Sequence, residues 1–213
     1  KPGDTVGVVA PASVVKYEDL LPGIEWMKEV WKVNVLEGQT IKSSYHQFSA
    51  TDEDRLKDIQ TMFDNPSVKA VIAGRGGYGC SRIVDQIDLT AFKKSPKWVV
   101  GFSDLTAIIA TLLQHDFASL HAPMVKSMMQ GGAEEARDDL QSVLFGDFPS
   151  YEVPTNPLNR NGHASGLLVG GNLCLLAHMI GSVTDVDTRN KILFIEDVNE
   201  YLYNLDRMMI QLK

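Results

Sequence analysis

An alternation of two textures most constrains how this chain can fold. Short apolar runs, "TVGVVA", "KVNVLEG", "VKAVIAG", "KWVVGF" and "FASLHAP", are separated by amphipathic stretches such as "YEDLLPGIEWMKEVW", "DEDRLKDIQTMFD" and "CSRIVDQID". Continuous apolar runs suit strands covered on both faces, and strands linked through helices form βαβ units. The expected fold is therefore α/β, a Rossmann-like, mostly parallel sheet with its functional groups at the strands' carboxyl ends. After the helical stretch "AEEARDDLQSVLFG", the segment "DFPSYEVPTNPLNRNGHASG" brings three prolines and three asparagines and reads as a linker. Residues 1–147 are expected to form one α/β domain, residues 148–165 the linker, and residues 166–213 the start of a smaller second domain. That last part opens with "LLVGGNLCLLAHMIGS" and carries another buried strand, "KILFIEDV".

Composition removes several classes of function. A hydrophobic share of 44% in 213 residues suffices for a real core. The net charge of −7 and the lack of any lysine or arginine run disfavour a surface that tracks phosphates, so no nucleic-acid partner is expected. Cys80 and Cys174 belong to no C-x-x-C pair, which indicates neither a zinc knuckle nor a disulfide framework and fits a reducing compartment. No apolar run approaches the length of a membrane span, and "KPGDTVGVVAPAS" begins with a strand-like segment, so a cytoplasmic chain is expected.

Three segments carry candidate chemistry. "AGRGGYG" places Gly74, Gly76 and Gly79 in G-x-G-x-x-G spacing directly after a strand. That pattern fits a dinucleotide turn, but at least two strands precede it, and Trp98 or Val99 stands where the ribose-binding acid belongs. Glycines allowing a tight positive-φ turn are the simpler reading, and the exposed amides of such a turn can also hold an oxyanion. In "GFSD", Ser103 and Asp104 are favourable residues ahead of a helix whose apolar face is Leu105, Ile108, Ile109, Leu112 and Leu113. The same serine at a strand-to-helix turn fits a nucleophile elbow, with Leu105 replacing the second glycine of G-x-S-x-G. In "KILFIEDVNEYLYNLDRMM", Glu196 ends an apolar strand, where an acid is either a solvated turn residue or the orienting member of a triad.

Taken in order, "VGVVAPAS", "AGRGGYG", "VVGFSDLTA", "LHAPM", "GGNLCLL" and "LFIEDVNEYLYNLDRMM" resemble the serine LD-carboxypeptidase family, which includes LD-carboxypeptidase A and the microcin C immunity peptidases. The resemblance implies an amino-terminal domain carrying a serine and a smaller, β-rich carboxy-terminal domain carrying a glutamate and a histidine. Matched by motif, Ser103 is the nucleophile, Glu196 the orienting acid, the amides of Gly77 and Asp104 the oxyanion hole, and Asn172 a residue of the substrate cleft. It further implies hydrolysis of an L,D amide bond, foremost the removal of terminal D-alanine from a muropeptide, in a cytoplasmic homodimer without metal or cofactor. The immunity branch instead cleaves peptidyl or aminoacyl adenylate analogues, and the modest Ser103-to-Glu196 separation favours the muropeptide branch. A dinucleotide-binding oxidoreductase and a binding module without catalysis remain the alternatives from other classes.

The base is the open point, because the family's histidine lies downstream of any position matched here and the chain is expected to be truncated before it. His46, His115, His163 and His178 read as surface or packing residues. His121, in the strand after the Ser103 helix, is the rival, since it could reach the same carboxyl edge of the sheet and approach the serine.

Overall fold

The computed structural model describes residues 1–213. Five parallel strands form the main sheet: β1 (Thr5–Val9), β2 (Asn34–Glu37), β3 (Val68–Ala73), β4 (Trp98–Gly101) and β5 (Leu120–His121), in the order β2-β1-β3-β4-β5. Alternation along each strand divides the core between the two faces. Val71, Ala73 and Val99 pack with Ile59, Phe63, Phe92 and Ile108 on one face, and Ala70, Ile72 and Val100 pack with Leu20, Ile24, Trp31 and Leu140 on the other. Each such aliphatic side chain, fully buried, contributes roughly 1.5–3 kcal/mol. The parallel, doubly covered sheet expected from the continuous apolar runs is present. Its strand order reverses between β1 and β3, and in open α/β sheets ligands bind at such a reversal, beyond the strands' carboxyl ends.

The helices follow from caps and spacing. Helix α1 (Tyr17–Trp26) buries Leu20 and Ile24. Helix α2 (Asp52–Asp64) starts where the Thr51 hydroxyl accepts from the Asp54 amide at 3.2 Å, with three acids in its first turn to meet the helix dipole. Its last carbonyls are satisfied by the buried Lys97 ammonium, which donates to Met62, Phe63 and Asn65 at 3.0, 2.8 and 2.7 Å. Helices α3 (Thr90–Lys94), α4 (Thr106–Gln114) and α5 (Glu134–Phe145) complete the first layer set.

Two local expectations need correction. "CSRIVDQID" is not an amphipathic helix but two short 3-10 turns, Cys80–Arg82 and Val84–Gln86, because the positive-φ Gly79 leads into it and Ile83, between the turns, is buried. The strand in "FASLHAP" shrinks to two residues, since β5 is the sheet edge and pairs only through Val100 with Leu120 and Gly101 with His121.

No helix or strand lies between α5 and β6 (Leu168–Asn172). Helix α6 (Leu173–Met179), β7 (Ile192–Glu196) and α7 (Leu202–Leu212) follow, and β6 and β7 form a separate parallel pair in which Asn172 stands opposite Glu196. No helix is long and apolar enough to cross a membrane.

Candidate active site

Ser103 sits at the carboxyl end of β4 with φ at +61°, a left-handed conformation that costs about 1–2 kcal/mol for a residue with a Cβ. The expectation that it caps the following helix is not met. Residues Ser103–Leu105 form a 3-10 turn without a side-chain capping bond, and α4 starts only at Thr106. A capping residue needs an extended backbone, and the left-handed turn at Ser103 excludes it. The strain turns the side chain out of the strand direction, as in a nucleophile elbow.

The glycine turn passes beside this serine. A Cβ on Gly76 would lie 3.1 Å from Ser103 Cβ and 3.2 Å from its Oγ, a tight contact that glycine avoids. Gly77 has φ at +116°, and a Cβ there would strike Ser13, whose hydroxyl accepts from the Tyr78 amide at 3.0 Å. The turn then enters a three-residue 3-10 segment instead of the helix amino terminus that a pyrophosphate needs, so the geometry does not support a dinucleotide site.

Glu196 reaches the same edge through the second sheet. The Asn172 amide donates to Thr106 Oγ1 at 3.0 Å, three residues beyond Ser103, and a Cβ on Gly171 would lie 2.7 Å from that oxygen. The β6–β7 register then carries Glu196 beside Asn172. Burial raises the Glu196 carboxyl above its ordinary range, while the Asn172 side chain and the Ser103 amide favour the carboxylate form. Its Oε1 is buried and accepts no hydrogen bond from residues 1–213. Asn172 itself is buried and caps α6, accepting from the Leu175 amide at 3.2 Å.

Among the five histidines only His121 stands within 4 Å of a carboxylate, with Nε2 3.8 Å from Glu196 Oε1. Its ring lies between Phe102 and Phe194, and burial lowers its pKa. Both shifts favour the neutral forms, and at 3.8 Å the contact is longer than a hydrogen bond. His121 stands at the sheet's carboxyl edge, opposite Gly101, and the side chain it approaches there is that of Glu196, where the serine was expected. No group of three or more His, Cys, Asp or Glu side chains is arranged to hold a metal ion.

Sequence reasoning passed over Arg55. It occupies the buried stripe of α2 with Ile59, Met62 and Phe63, and a charged residue on such a stripe was the available signal. Its guanidinium holds the carbonyls of Pro11, just past β1, and Gly79, the latter at 2.8 Å.

Residues 6–122 match the LD-carboxypeptidase N-terminal domain and residues 165–213 the LD-carboxypeptidase C-terminal domain. A probable murein peptide carboxypeptidase of Bacillus subtilis is 35% identical over 99% of this chain and 67% of its own length. The crystal structure of muramoyltetrapeptide carboxypeptidase from Oxalobacter formigenes superposes with a TM-score of 0.83 at 32% identity, covering 98% of this chain and 70% of that one. The microcin C7 self-immunity protein MccF superposes with a TM-score of 0.85 at 19% identity, covering 100% and 74%, and shares the fold. The chain belongs to the LD-carboxypeptidase family.

Proposed function

With that membership as premise, we propose that the protein hydrolyses an L,D amide bond and releases terminal D-alanine from a muropeptide tetrapeptide, with Ser103 as nucleophile and Glu196 as the acid that orients its base. One observation carries the reading. A strained serine at the end of β4 and a carboxylate from a different sheet converge on one edge, joined through Thr106 and the Asn172–Glu196 register. The substrate class rests on the relatives' names, murein peptide and muramoyltetrapeptide carboxypeptidase, at 35% and 32% identity.

Ser103 Oγ attacks the scissile carbonyl while its proton passes to an imidazole, and the carbonyl electrons collect on oxygen. The amides of Gly77 and Asp104 stabilise that oxyanion, a contribution of about 3 kcal/mol per donor. The tetrahedral intermediate collapses, the C–N bond breaks, and the imidazolium returns its proton to the leaving D-alanine amine. Water then resolves the acyl-enzyme by the same route and restores the serine. Asn172 lines the cleft beside the glutamate. At 3.8 Å, His121 does not complete a hydrogen bond to Glu196, so the reading assigns the imidazole to a histidine outside residues 1–213. The unpartnered Oε1 of Glu196 is the acceptor suited to its N–H.

D-alanine release from muropeptide tetrapeptide by the full-length gene product tests this. Turnover that falls by about 10⁴-fold or more in Ser103→Ala, with the fold intact, is expected. Turnover unchanged in that variant defeats the reading. The likeness to the immunity protein at 19% identity supports its fold alone, and hydrolysis of an aminoacyl adenylate analogue without D-alanine release would favour that branch.

A further inference from the structure

Asp104, the residue after Ser103, is only 1% exposed, an unusual place for a carboxylate. Its Oδ2 accepts from the Cys80 amide at 2.8 Å, while its Oδ1 has no partner. Burial raises this carboxyl, and the Cys80 amide, the Cys80 thiol and Arg55 oppose the rise. Burying a carboxylate with one oxygen unpaired costs free energy, so the placement needs a reason beyond packing.

The partner of Asp104 explains the placement. The Cys80 N–H and the Gly79 carbonyl are two ends of one peptide unit. Asp104 holds its N–H, and Arg55 holds its oxygen at 2.8 Å. Peptide planarity means that gripping both ends fixes the orientation of the whole unit. Gly79, at φ +143°, has no Cβ to restrict it, and a Cβ there would lie 2.5 Å from Arg55 Nη1. The turn that carries Gly77 is held from outside at three places. Ser13 accepts from the Tyr78 amide, Arg55 ties the Gly79 carbonyl to α2 and to the end of β1, and Asp104 alone ties the turn to the serine's own turn.

We propose that the Asp104 side chain is a positioning residue. By holding the Gly79–Cys80 peptide against Arg55, it locks the glycine turn to the serine elbow and sets the spacing between the Gly77 and Asp104 amides. This inference rests on the assignment of Ser103 as nucleophile. A spacing error at those amides weakens the oxyanion more than the ground-state carbonyl, so the loss falls on kcat and not on KM.

The test compares Asp104→Asn and Asp104→Leu in the full-length gene product. Asparagine keeps a side-chain oxygen for the Cys80 amide, whereas leucine fills similar volume and accepts nothing. The leucine variant is expected to fold with a lowered Tm, because the buried Cys80 N–H loses its acceptor, to lose about 100-fold in kcat, and to keep KM within about threefold. The asparagine variant is expected to stay within about fivefold of wild-type kcat. The rate of reaction with a serine-directed fluorophosphonate should fall in the leucine variant in step with kcat.

Unchanged kcat in the leucine variant overturns the inference. So does a 100-fold loss in the asparagine variant, which decides the matter alone should leucine not fold. A wild type that releases D-alanine but takes no adduct at Ser103 removes the nucleophile assignment itself. Adduct at Ser103 with unchanged leucine kinetics removes only the positioning role.

Discussion

On the serine side, β4 has a strand on each edge, and Val99 and Val100 are 1% and 0% exposed. On the glutamate side, β7 pairs with β6 within residues 1–213, outside the five-stranded sheet. Both regions bring one polar group to the same edge, yet they do so by different means. Ser103 is placed by a turn that the core beneath it enforces. Glu196 is placed by docking, through the Asn172 amide on Thr106 and the close approach of Gly171 to the same side chain. Substitutions at the serine should therefore remove chemistry from an intact scaffold. Substitutions around the glutamate can act either on its carboxylate or on how firmly its strand pair sits.

The largest effect expected on the glutamate side is that of Glu196→Gln, which keeps shape and removes charge. Turnover should fall by about 10³- to 10⁴-fold, as when the acid of a triad becomes an amide. His121→Ala measured alongside should cost less than about tenfold, since at 3.8 Å it makes no hydrogen bond to Glu196. The reverse order in kcat would make His121 the base and break the assignment above.

Gly171→Ala should act more gently and on position alone. A Cβ there meets Thr106 Oγ1 at 2.7 Å on a backbone with φ at +148°, and the strain should cost about 1–3 kcal/mol. Hydrogen exchange should speed up at β6 and β7 amides while β1, β3 and β4 amides keep their protection. Equal acceleration in both sheets would show that they open as one unit and remove the distinction between them.

Legibility in the sequence divides along the same line. The strands β1 to β4 and the helices α2 and α5 are readable because burial on both faces, or on one stripe, imposes a period that a single chain displays. Ser103 is readable as a residue at a strand-to-helix turn, but its left-handed backbone is not, since φ there depends on how the 3-10 turn and α4 pack. Arg55 shows as a charge on the apolar stripe of α2, yet its partners, Pro11 and Gly79, lie 44 and 24 residues away. Gly171 looks like any strand glycine. Its specificity comes from Thr106, 66 residues from the Asn172 amide that it also receives. Period and local turn chemistry are visible in sequence, whereas the groups opposing a glycine or a buried charge are set by the assembled fold.

The central claim is that Ser103 is the nucleophile, and covalent labelling tests it most directly. The full-length gene product is treated with a serine-directed fluorophosphonate, and mass, modified peptide and remaining D-alanine release are tracked together. A single adduct on Ser103, with turnover lost in proportion to its occupancy, is the predicted result. Full turnover in protein labelled completely at Ser103, or inactivation that tracks an adduct on another residue, would contradict it.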